Sequence, residues 1–146
     1  LPKHLELNSI QLMENELYLI ANKAVKAKDI FIKNPLIFRE KGSATRDAME
    51  SFLAESKIDY GTRYELSSNE AVKQAILANL GCSVMPLIGI KEELNKGDLK
   101  IINQKGLPIK TNWIIIWRKD KRLSPVSNAF IEYLKTNKEG IIKKFF

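Results

Sequence analysis

One cysteine and one histidine are all that these 146 residues offer of thiol and imidazole chemistry. A lone Cys82 excludes an internal disulfide. Its place in an apolar run reads as a buried small hydrophobe rather than a nucleophile. That cysteine usage fits a reducing compartment, so a cytoplasmic location is expected. His4 stands at the N-terminal edge, where a solvated side chain is expected rather than a catalytic base. With no Cys/His ligand spacing, no metal and no other cofactor are expected. Gly-x-Ser-x-Gly, P-loop and Gly-x-Gly-x-x-Gly runs are absent from the chain. The carboxylates follow no shared pattern, and Asp47 and Glu50 fall in or just past a predicted first helical turn, where negative charge is favoured anyway. These absences leave a small α/β enzyme as the weakest reading.

Long apolar runs are missing too. None approaches the roughly 20 residues of a membrane span, and the opening Leu1-Pro-Lys-His4 has no signal-peptide form. No membrane partner is expected. The net charge is +7, but the lysines are spread along the chain. Only Lys119, Lys121 and Arg122 cluster, with Lys143 and Lys144 near the end, and no aromatic residues interleave with them. A single-strand binder would show that interleaving, so the charge reads as a solvated basic surface. The first residues contain no helix-turn-helix, so this chain alone is not expected to read DNA. Internal repeats and low-complexity segments are also absent.

What is present suits one domain or two small lobes: 45% hydrophobic residues for a core and 28% charged residues for a hydrated surface. Residues 12–22 read as a strand, and 23–34 as a charged connection of no definite structure. Strand 35–39, helix 43–56, strand 60–66, helix 68–80, strand 82–85 and a short helix to about Leu94 follow. The apolar face of the first helix is Ala48, Met49, Phe52 and Leu53, and that of the second is Val72, Ala75, Ile76 and Leu80. Gly81 is the expected stop of the second helix, and Ser67 and Glu70 have capping-box spacing at its start. Residues 99–102 read as a strand, and 112–118, apolar nearly throughout, as a central strand. Ser124 and Pro125 open a last helix with core face Ala129, Phe130, Tyr133 and Leu134.

Strand alternating with helix over residues 36–94 argues an α/β unit with a parallel sheet. Ligands in such sheets bind beyond the carboxyl ends of the strands, where helix N-termini collect. Three loops should share that rim: residues 41–46, 67–70 and 85–87. Within them Ser43, Ala44, Thr45 and Arg46 form a hydroxyl-rich helix start after a glycine turn. The plain reading is a serine cap, a neutral threonine and a surface arginine. The functional reading has Thr45 and Arg46 turned toward a ligand carboxylate or phosphate. Ser68 and Asn69 read equally as a cap and as ligand contacts.

The string Leu36-Ile-Phe-Arg-Glu-Lys-Gly-Ser-Ala-Thr-Arg46, followed by Glu65-Leu-Ser-Ser-Asn-Glu-Ala-Val-Lys-Gln-Ala-Ile-Leu-Ala-Asn-Leu-Gly-Cys-Ser-Val-Met-Pro86, resembles the effector-binding domain of LysR-type transcriptional regulators. The strand Trp113-Ile-Ile-Ile-Trp117 and the Leu123-Ser-Pro125 helix start are similar to that domain's C-terminal end, so the resemblance covers nearly the whole chain. Within that family it resembles regulators of carbon-fixation operons and of cysteine biosynthesis.

The resemblance implies an α/β fold of the type 2 periplasmic-binding-protein kind, with two lobes joined by two crossover strands and an effector between them. It implies a remnant of lobe I and the first crossover at residues 1–34. Lobe II would span 35–112, and a return strand with the C-terminal helix of lobe I would span 113–146. One lobe would be complete and the other partial, as in a fragment. The implied effector contacts are Ser43, Ala44, Thr45, Arg46, Ser68, Asn69, Met85 and Pro86. The implied partners are a small, anionic effector and further copies of the protein. DNA would be bound only through a winged helix-turn-helix absent from this chain. The alternative reading is a solute-binding protein of a transporter.

Overall fold

The computed structural model describes residues 6–145, with side chains to Lys143, so His4 lies outside the described residues. The chain forms two compact units, residues 15–111 and residues 1–14 with 112–146. Two long strands pass between them: β1 (Leu7–Asn22) and β6 (Ile109–Arg118), which pair with each other.

In the unit of residues 15–111, the second half of β1 is the organising strand. It lies antiparallel to β4 (Ser83–Pro86), with Leu17 opposite Pro86, and to β5 (Leu99–Ile101), with Ile20 opposite Ile101. Alternate side chains of a strand point to opposite faces. Leu17, Leu19 and Ala21 accordingly pack with Leu36, Phe38, Val84 and the α2 (Ala44–Glu55) residues Met49, Phe52 and Leu53. Ile20 packs on the other face with Ile37, Met85, Leu99, Ile90 and the α3 (Asn69–Leu77) residues Val72 and Ile76. Each such fully buried aliphatic or aromatic side chain contributes about 1.5–3 kcal/mol. β2 (Leu36–Arg39) pairs in parallel with β3 (Arg63–Leu66). It joins β4 through the Leu36–Cys82 bridge and the bonds Ile37 N–H to Cys82 C=O, 2.8 Å, and Cys82 N–H to Pro35 C=O, 2.9 Å.

Residues 36–101 thus supply parallel strands, as expected, but β1 enters the sheet antiparallel and makes it mixed. The connection before β2 contains a single-turn helix, α1 (Ile30–Lys33), which buries Ile30 and Phe31. After β4 come a 3-10 turn (Leu87–Gly89) and α4 (Lys91–Lys96), stopped by Gly97 at φ +75°.

Two helix ends differ from the sequence reading. α3 stops at Leu77, not Leu80, and Asn79 rather than Gly81 takes the left-handed conformation, φ +59°. Asn79 N–H reaches Ile76 C=O at 2.9 Å and Leu80 N–H reaches Ala75 C=O at 3.0 Å, the bond pattern of a Schellman stop. Leu80 is therefore off the helix and exposed. At the other end Ser68, not Ser67, is the cap, its Oγ accepting the Ala71 N–H at 3.0 Å. Gly81 has a different reason to be glycine: a Cβ there would stand 2.3 Å from the Pro35 carbonyl oxygen.

In the other unit, α5 (Pro125–Phe145) is capped by Ser124, whose Oγ accepts the Ser127 N–H at 3.1 Å. Lys119 N–H donates to Glu6 C=O, and Gln11 Nε2 to Asn112 Oδ1. Here the apolar pattern misled. Trp113, Ile114 and Ile116 of β6 are exposed, so the strand is not buried on both faces. On α5, Ile131 and Leu134 are buried while Ala129, Phe130 and Tyr133 are exposed. Within this unit the described residues supply one strand partner and one helix, too little to cover all the apolar positions.

Gly81→Ala is expected to destabilise the protein by about 1–3 kcal/mol, because the added carbon meets backbone that cannot swing away. Gly140→Ala, in α5 with nothing within 4 Å of the new carbon, is expected to stabilise by up to about 1 kcal/mol. Urea melts of the two variants check both signs.

Candidate functional site

The carboxyl ends of β2, β3 and β4 define one rim. Register puts Arg39, the last residue of β2, beside Leu66, the last of β3. At the end of β4, Pro86 faces Leu17 of β1. The turn after β2 closes with Ser43 N–H on Glu40 C=O, 3.2 Å, and runs through Gly42 at φ +90°. A Cβ on Gly42 would meet nothing within 4 Å, so the glycine is there for its backbone angle and not for space.

Helix α2 then starts at Ala44 with Ser43 extended at the cap (φ −75°, ψ 125°), and the Ser43 side chain makes no capping hydrogen bond. The contrast with α3, whose Ser68 is spent on its own helix, is direct. The first N–H groups of a helix have no intrahelical acceptor, and the helix dipole favours an anion there. Ser43 and Thr45 are partly exposed and Ala44 is exposed, so backbone and hydroxyl donors stand open at this end.

Arg39 joins the first two loops. Its guanidinium grips Glu40 at 2.7 and 2.8 Å and donates through Nη1 to Asn69 Oδ1. Asn69, the first residue of α3, is thereby tied to the turn that precedes α2. The Arg39 hydrogen bonds hold the Glu40 carboxyl below the usual carboxylate range.

The Arg46 side chain does not face the rim as the functional reading expected. It is buried and turns inward, Nε on Glu50 Oε1 at 2.9 Å and Nη1 on both Glu65 Oε2 at 2.6 Å and the Arg39 carbonyl at 3.1 Å. Its acidic partners sit one helical turn along α2 and across on β3. Met85 is likewise in the core with Ile20 and Ile37, and Pro86 is buried, so neither presents an open side chain. Ser43, Ala44 and Thr45 come together with Ser68 and Asn69 at adjacent strand ends. Sequence reading missed Arg39, Glu40 and Glu65. The Arg46–Glu50 spacing of four residues was a visible signal. The Glu65 partner needed the β2–β3 pairing.

Among the described residues, no three His, Cys, Asp or Glu side chains converge to hold a metal. Cys82 is buried beside Pro35, and burial pushes its thiol up to about 12. The thiolate is the reactive form, and at pH 8 it is negligibly populated in the folded protein. Cys82 is expected to resist Ellman's reagent at pH 8 and to react stoichiometrically once guanidinium unfolds the chain. Fast labelling of the native protein would show the strand pairing around it to be open.

Comparison with known proteins follows the same residues. A family model described as LysR substrate binding domain matches residues 1–139. The HTH-type transcriptional activator CmpR of Synechocystis sp. is 37% identical over 147 residues, 96% of this chain and 48% of that protein. The RuBisCO operon transcriptional regulator of Acidithiobacillus ferrooxidans is 36% identical over 140 residues, 91% of this chain and 45% of that protein. The chain spans about half the length of the curated relatives it matches. Among solved structures, the Synechocystis PCC6803 CcmR regulatory domain in complex with 2-PG superposes with a TM-score of 0.81 at 31% identity, over 92% of this chain and 68% of that one. The apo regulatory domain of HypT from Salmonella typhimurium, 19% identical, shares the fold with a TM-score of 0.80 over 94% of this chain and 68% of that one.

Proposed function

The chain belongs to the LysR substrate-binding domain family, with a type 2 periplasmic-binding-protein-like fold, and from that premise we propose that it senses a small anionic metabolite for a transcriptional regulator. The observation that carries this reading is the start of α2, where Ser43 leaves the helix end uncapped and Ser43, Ala44 and Thr45 stand open at the strand rim. Asn69 completes the contacts together with Ser68, whose Oγ accepts at its own cap but keeps a proton to donate, and Arg39 holds the two loops in register. Arg46, Met85 and Pro86 support the loops from behind.

The relatives matched over most of the chain are regulators of transcription, which favours this reading over transport and over an enzyme. The absence of any nucleophile–base or ligand spacing in the sequence supports a non-catalytic role. We assign the unit of residues 15–111 to the second lobe, 20 residues earlier than the expected start at 35 because Leu17, Leu19, Ala21, Ile30 and Phe31 belong to its core, and the flanking residues to the first lobe and the crossovers. Contact with DNA belongs to a winged helix-turn-helix outside these 146 residues. The effector acts by stabilising one arrangement of a DNA-bound oligomer over another, to the extent that it binds that arrangement better. No described helix is long and apolar enough to cross a membrane.

The CcmR domain was solved with 2-PG, which makes 2-PG the first probe for this chain. In 15N chemical-shift titrations, 2-PG or sulfate is expected to move the amides of Ser43, Ala44, Thr45 and Asn69. Thr45→Val is expected to weaken binding tenfold or more, since a hydrogen bond to a charged group contributes about 1.5–3 kcal/mol. Shifts confined to residues 119–122 would sink the reading.

Self-association is part of the proposal. Val126, Phe130 and Tyr133 of α5 and Trp113, Ile114 and Ile116 of β6 leave apolar surface exposed. Apolar surface is worth roughly 25 cal/mol per Å² on burial, less the cost of association. Light scattering at several concentrations is expected to show a mass above that of one chain. A monomer throughout, with a cooperative melt, would refute this part.

A further inference from the structure

The three loops of the rim are anchored very unequally. The α3 start has its own cap, and β4 runs into a buried proline. Among the described residues one backbone bond outside the helices and strands, Ser43 N–H to Glu40 C=O, crosses the turn of residues 40–43, which contains a glycine in a left-handed angle and carries the open donors. Arg39 holds its outer side through Glu40 and Asn69, and something else must anchor its inner side.

Arg46 sits where it can do so. Its side chain is 6% exposed and spans three separate acceptors. One is the carbonyl of Arg39, the last strand residue before the turn. Another is Glu50, one turn further along the helix that the turn leads into. The third is Glu65 on the neighbouring strand. Strand end, helix start and β3 are thus pinned to one guanidinium, and the turn is the span between the pinned points. Arg63 completes the group. Its Nη2 lies 3.8 Å from Glu50 and 3.7 Å from Glu65, and its guanidinium rests 4.7 Å above the Phe38 ring. Two arginines and two glutamates balance in charge, so the cluster lends the rim little net field.

We propose that Arg46 and Glu65 are positioning residues that shape the 40–45 turn for its anionic ligand without touching that ligand. The proposal rests on the functional reading above and names the side chains that make the site fit. It carries a sign that electrostatics alone would reverse. Glu65 is an acid near an anion site, so removing its charge should strengthen anion binding if charge were all that counted. If it positions Arg46, losing it should weaken binding.

Three variants separate these cases: Glu65→Leu, which removes both charge and acceptor; Glu65→Gln, which removes charge and keeps an acceptor oxygen; and Arg46→Lys, which keeps the charge and loses the three-way grip. Amide hydrogen exchange without ligand comes first. Exchange at Ser43 and Asp47 is expected to speed at least fivefold in Glu65→Leu and Arg46→Lys. The amides of Ile37 and Cys82, inside the sheet, should be unchanged and so report an intact fold. Titration with 2-PG and with sulfate comes second. Affinity is expected to fall fivefold or more in Glu65→Leu and Arg46→Lys and to stay near the parent value in Glu65→Gln. Tighter binding by both Glu65 variants, or unchanged exchange at Ser43 and Asp47, would overturn the proposal. If the parent protein binds neither anion, the functional reading fails, and the exchange data still decide whether Arg46 and Glu65 shape the turn. Should Glu65→Leu not fold, Arg46→Lys carries both arms alone.

Discussion

The structure depends on one strand being buried from both sides. From Leu17 to Asn22, β1 takes hydrogen bonds from β4 on one edge and β5 on the other, and every second side chain goes to a different core. Shift that strand by one residue and Leu19 and Ile20 exchange faces, so both cores lose their central side chains together. The register of β4 follows from it, and with it the height at which Pro86 ends the strand. β2 then follows through the Leu36–Cys82 bridge, and β3 through β2. The rim on which the candidate site stands is therefore set by pairing decisions made three strands away from its outer edge.

Given that rim, the chemistry is economical. One helix start is capped by its own serine and closed, and another is left open beside two hydroxyls. Two arginines appear in the site in opposite capacities. Arg39, partly exposed, links the loops at the surface through Glu40 and Asn69, and Arg46, buried, links strand, helix and neighbouring strand from beneath. Neither presents an open, unpaired guanidinium to solvent. An anion approaching α2 would meet backbone and hydroxyl donors in a near-neutral setting. That arrangement favours recognition by hydrogen-bond geometry over attraction by bulk charge, despite the chain's net charge of +7.

The second unit has another character. Its strands and its long helix carry apolar residues in the right periods, yet much of that surface stays exposed among the described residues. That surface is what the proposed self-association would cover.

Local sequence determined a good deal. The strand through Leu17 to Ala21, the apolar spacing in α2 and α3, the glycine turn at Gly42 and the serine–proline start of α5 all depend on neighbours within a few residues. They formed close to where they were expected. Family membership was legible for the same reason, since the motifs Leu36–Arg46 and Glu65–Pro86 are contiguous strings. Tertiary structure decided the rest. Arg46 looked like a surface cation on a helix start, and only the parallel pairing of β2 with β3 brought Glu65 to it and turned it inward. Gly81 looked like a helix stop, and only the close pass of Pro35 shows why no side chain fits there. β6 looked buried because apolar content measures what a strand is able to bury, whereas exposure depends on which elements arrive to cover it.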